Sequence, residues 1–83
     1  MDYASIVRDL ISDVIVSNGY MLDDVLYVKE GNIYFLRVVI DKDDYITVDD
    51  CSFVTKLINP ILDDADPISE NYILDVCSKE KGE

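Results

Sequence analysis

Residues 25–40 read VLYVKEGNIYFLRVVI, and the two-residue break in the middle sets the architecture. Residues 25–30 and 33–40 are both rich in β-branched and aromatic side chains, the composition of strands. Gly31-Asn32 is a loop of the length that joins a tight antiparallel hairpin. Asp23 and Asp24, just before it, read as ordinary loop residues. In the second strand, Tyr34, Leu36, Val38 and Ile40 share one face, while Ile33, Phe35, Arg37 and Val39 share the other.

The segment before Asn18-Gly19 reads as a helix. Ile6, Leu10, Val14 and Ser17 follow the 3.6-residue period, and Val7 and Ile11 widen the stripe. Asp2 and Asp9 suit its N-terminal half, and Gly19 is placed to take a left-handed cap. After the hairpin, residues 41–46 (DKDDYI) form a polar turn. Thr47, with Asp50 three residues later, approximates a capping box and opens a second helix. Val54, Leu57, Ile58, Ile61 and Leu62 supply its buried stripe, and Cys51 joins it. Pro60 removes a backbone N–H from this run and predicts a kink or a break. Pro67 stops the helix by Asp66. Residues 72–77 (YILDVC) read as a third strand.

The order is therefore α-β-β-α-β, an α/β (α+β) fold: a three-stranded mixed sheet with both helices on one face. A crossover through the second helix makes strand three parallel to strand two. Strand three lies either beside strand two or on the far side of strand one, and the latter is the favoured placement. Val25, Tyr27, Leu36, Val38, Ile40, Leu74 and Val76 face the helices. Residues 1–78 form a single domain, with 79–83 as a polar tail.

Helices on one face leave the other open. It would show Leu26, Val28, Phe35, Val39 and Ile73, broken by Arg37 and Asp75. An uncovered apolar face this wide marks an interface. The competing arrangement puts one helix on each side of the sheet.

Composition narrows the function. The chain has 83 residues, 18 of them Asp or Glu against 7 Lys or Arg, for a net charge of -11 without histidine. Apolar residues make up 49 %, enough for one modest core. The charge repels naked DNA, RNA and anionic lipid and suits a basic partner. The absence of histidine removes the commonest general base and metal ligand. No nucleophile sits in a recognisable setting, and Gly19, Gly31 and Gly82 form no phosphate loop. The chain reads as a non-enzyme with no cofactor.

Cys51 and Cys77 match no metal or redox spacing and read as reduced, structural thiols. The acids at 41, 43 and 44 suggest a calcium loop, but Ile46 and Ser52 stand where Gly and Glu are needed. No metal site is expected. Residues 1–16 carry acids within their apolar run, so they read as neither a signal peptide nor a membrane span. Asp49, Asp50, Asp63, Asp64 and Asp66 flank the two ends of the second helix and are candidates to meet a basic protein. On the open sheet face the candidates are Leu26, Phe35, Arg37, Val39 and Ile73.

The run LRVVIDKDDYITVDDC (36–51), then LDDADPI (62–68) and YILDV (72–76), closely resembles the N-terminal domain of the bacterial ribosome maturation factor RimP. The resemblance extends from the first helix, through Gly19 and Tyr27, to Val76. It implies a cytoplasmic, non-catalytic domain of this element order that helps assemble the small ribosomal subunit. It also implies contact with a basic protein of that subunit. The family continues through a Ser-Ser-Pro-Gly hinge into an SH3-like barrel. Here Cys77 and Ser78 lead into KEKGE, so the expectation is a first domain without the second. Leu26 also stands where the family often has Glu, which makes the open face more apolar. A generic interaction module, self-associating weakly through that face, is the alternative.

Overall fold

The computed structural model describes residues 2–78; the predicted tail at 79–83 lies outside them. Helix α1 (Tyr3–Ser17) opens on Asp2, whose carboxylate accepts from the Ser5 amide at 3.3 Å and the Ser5 hydroxyl at 2.8 Å. It closes at Asn18. Gly19 follows at φ +89°, a left-handed conformation that costs glycine little. Val7, Ile11 and Ile15 are fully buried. Val7 and Ile11, predicted only to widen the stripe, are thus its centre, while Ile6, Leu10 and Val14 are half-buried and Ser17 is exposed. Two adjacent rows of α1 are apolar, and the period fits both.

Strands β1 (Met21–Glu30) and β2 (Ile33–Asp41) form the expected antiparallel hairpin, with Glu30 opposite Ile33. Gly31 takes φ +64°, which a tight hairpin turn needs at its first central position. Strand β1 starts four residues earlier than predicted. Asp23 and Asp24 belong to it rather than to a loop. The register shifts between Leu22 and Asp24, so Asp23 is an inserted bulge residue that hides the strand's alternation.

Helix α2 (Val48–Ala65) has the full capping box. The Thr47 hydroxyl accepts from the Asp50 amide at 3.1 Å, and the Asp50 carboxylate accepts from the Thr47 amide at 2.8 Å. The helix runs unbroken through Pro60, so the predicted break does not occur. Pro60 and Lys56, the residues that would share the missing bond, are both exposed, and the loss falls on the solvent side. Val54, Ile58 and Leu62 are buried; Cys51, Leu57 and Ile61 are half-buried. Asp66 ends the helix at φ +48°, just before Pro67.

Strand β3 (Tyr72–Ser78) runs parallel to β2, and the sheet order is β1-β2-β3. The favoured placement on the far side of β1 is therefore wrong. Strand β2 is apolar on both faces and takes the centre. Strand β1, with its bulge and its charged Asp24, Lys29 and Glu30, has the character of an edge.

One core lies between the sheet and the helices. Val25, Leu36, Val38 and Ile40 are at most 3 % exposed and join the buried rows of α1 and α2 in one cluster. Tyr27, Leu74 and Val76 pack against it half-buried. Both helices thus cover one face. Tyr20 and Ile68, from the connections, also enter the core, and neither was predicted there.

Candidate protein-binding surfaces

The open face of the sheet assembles as the alternation predicts. Leu26, Arg37 and Asp75 lie in one cross-strand row, and Val28, Phe35 and Ile73 in the next. Val39 pairs with Asp24 and Cys77 in a third. Leu26 is 40 % exposed and Ile73 48 %; Phe35 and Val39 are half-buried. Arg37 holds the centre. Its Nε donates to Asp75 and its Nη2 to Glu30, each at 3.2 Å, and its guanidinium carbon lies 5.3 Å from the centroid of the Phe35 ring. The bonds to Asp75 and Glu30 raise the Arg37 pKa further.

The acidic candidates do not form one patch. Asp49 is exposed in the first turn of α2, favourable to the helix dipole. It stands about 21 Å along the axis from Asp63, fourteen residues on. Asp63, Asp64 and Asp66 gather with Glu70 around the far end, where α2 has no basic residue in its last turn. All four are exposed. Asp63, Asp64 and Asp66 make no side-chain hydrogen bond or ion pair among the described residues, whereas the Tyr27 hydroxyl donates to Glu70 at 3.4 Å. Carboxylates at a helix C-terminus oppose its dipole.

Asp50 differs from its neighbours. Its carboxylate accepts from the Tyr20 hydroxyl at 2.6 Å, from the Thr47 amide, and from Lys42 Nζ at 3.1 Å. These bonds, Tyr20's first, hold its carboxyl well below the usual carboxylate range. The same bond, with burial, pushes Tyr20 up to about 12. Asp50 thus ties the α1–β1 connection to the start of α2. A tyrosine following Gly19 gave no sign of a partner thirty positions on.

Both cysteines are free and half-buried. Burial raises each thiol pKa, which leaves neither as a ready nucleophile. Among the described residues no group of three or more His, Cys, Asp or Glu is placed to hold a metal ion. No helix there is long and apolar enough to cross a membrane.

A protein-family model described as the RimP N-terminal domain matches residues 10–79. The match takes in the second half of α1, the hairpin, α2 and β3, and so most of the chain. The family is non-catalytic, is associated with ribosome maturation and works among ribosomal components. By fold and by sequence match, the chain belongs to the RimP N-terminal domain family.

Proposed function

We propose that this chain is a cytoplasmic, non-enzymatic assembly-factor domain that binds the small ribosomal subunit through one of its basic proteins. The supporting observation is the acidic end of α2, where Asp63, Asp64 and Asp66 are exposed and have no side-chain partner among the described residues. Carboxylates held there against the helix dipole, on a chain of net charge -11, favour a cationic ligand. Opposite charge steers the encounter, and apolar contacts supply the short-range affinity. Naked RNA is repelled by the same field.

Calorimetry against purified small-subunit proteins tests this. A basic member should bind, and more weakly as salt rises from about 0.05 to 0.5 M, because screening shortens the reach of the field. Absence of binding to every such protein by the folded chain would reject the reading, and tight binding to naked RNA at physiological salt would reject its electrostatic basis.

The exposure of Leu26 and Ile73 on the open face favours a second reading, a self-associating interaction module. Sedimentation over a concentration series separates the two. A monomer at all concentrations, unaltered by Phe35→Glu, excludes the second.

A further inference from the structure

The two edges of the sheet are finished differently. Strand β1 carries a bulge, then Lys29 and Glu30, which are devices that keep another strand from pairing there. Strand β3 lacks them. Its one charge, Asp75, is turned onto Arg37 of the neighbouring strand. Among the described residues β3 pairs with β2 alone, so its other edge presents backbone groups with no strand to receive them.

A trough runs beside that edge. Two clefts of about 470 and 360 Å³ open between α2 and β3, with Leu74 in the wall of both. No residue of α1, β1 or β2 lines either, so both lie on the free side of β3. Leu74 and Val76 belong to the helix-covered face yet stay half-buried, unlike Leu36 and Val38 opposite them. Helix α2 borders the trough with Cys51, Thr55, Asn59 and Asp63, an i,i+4 row of short side chains that leaves room at the edge.

We propose that the open edge of β3 takes an extended segment of the basic partner as a fourth strand. One face of that strand places basic side chains at Asp63 and Asp66 and apolar ones on Leu74 and Val76. The proposal rests on the reading of the chain as a binder of basic proteins. Asp63 and Asp66 line one end of the trough, and Lys56, the single cation among its described lining residues, stands toward the other. Basic residues of the incoming segment therefore gather at the Tyr72 end. Backbone pairing supplies affinity, and the acids select the sign and the direction.

The test uses two capped peptides, Lys-Thr-Lys-Thr-Val-Thr-Val-Thr and its reverse, titrated into the isotope-labelled chain and followed by amide exchange. One of the two should bind at least several-fold more tightly and slow exchange of alternate β3 amides by roughly tenfold or more, leaving β1 unchanged. N-methylation of that peptide on one set of alternate residues should abolish binding, and on the other set should not. Asp63→Asn with Asp66→Asn should weaken it several-fold at about 0.05 M salt and little at about 0.5 M. Failure of both peptides to bind, equal binding of the two methylated forms, or protection on β1 or the open face would overturn the proposal. So would protection of β3 that grows with protein concentration alone, which would assign the edge to a second copy. Peptide binding along β3 without binding of any small-subunit protein would uphold the edge and reject the ribosomal reading. Binding of such a protein with β3 amides unprotected would do the reverse.

Discussion

Strand β2 supplies two faces of similar apolar character, and they are covered by different means. Leu36, Val38 and Ile40 are fully buried under two helices, while the alternating Phe35, Arg37 and Val39 remain half-buried. On the open side the cover is a side chain. Arg37 lies over the Phe35 ring, and its head is held by Asp75 of β3 and Glu30 of β1. A long cationic stem can shield apolar surface while its charged head stays paired at the boundary with water. A strand that is apolar on both faces therefore need not be buried on both. An arginine with acids on both flanking strands lets one face stay in water.

The contrast has consequences for stability. Leu36→Ala should cost about 2–5 kcal/mol, a large share of what so small a domain has, because it opens a cavity in a closed layer. Phe35→Ala, one residue away, should cost about 1–1.5 kcal/mol, since the half-buried ring gives up only part of its burial. Urea midpoints measure both. Equal losses would mean that the two faces are covered equally well. Thr47→Ala removes the cap of one covering helix and should cost about 1 kcal/mol; no loss would mean that packing alone holds the start of α2.

A smaller effect should appear with pH. The Asp50 carboxyl lies below its ordinary value of 3.8 in the folded chain. Its bonds therefore add stability above that value, and the contribution is lost as pH falls through the folded pKa. Urea midpoints between pH 6 and 2 should show a shallower acid limb in Asp50→Asn than in the parent, and identical limbs would remove Asp50 from the acid response. Smallest of all, Arg37→Ala should barely move the midpoint but should raise binding of an apolar dye at the uncovered Phe35. Unchanged dye binding would show that Arg37 is not the cover.

The hairpin, the caps at Gly19 and Thr47, and the facing set from Val25 to Val76 were legible because each depends on local pattern. The open face followed from the same alternation. What was not legible depends on choices among near-equal patterns or on distant partners. Two apolar rows on α1 left its buried side open by one residue, and the bulge at Asp23 disguised four strand residues as loop. The place of β3 is a tertiary choice, for which the charges on β1 were a usable but unread sign. Sequence set Asp50 apart from the other four acids only as the capping partner of Thr47, with no sign of Tyr20. The fold separates Asp50, bonded to Tyr20, from Asp63, Asp64 and Asp66, which face solvent. The trough along β3 had a trace in the short row Cys51, Thr55, Asn59 and Asp63, but without the strand beside it that row reads as an ordinary helix flank.

The acidic end of α2 is most directly tested by association kinetics. Stopped-flow rates with the basic small-subunit protein found by calorimetry should be compared for the parent and for the combined Asp63→Asn, Asp64→Asn and Asp66→Asn variant. Long-range attraction acts on encounter, so the variant should associate several-fold more slowly, with a weaker salt dependence and a dissociation rate changed much less. A variant that associates as fast as the parent across the salt range would contradict the assignment of these three carboxylates to the partner.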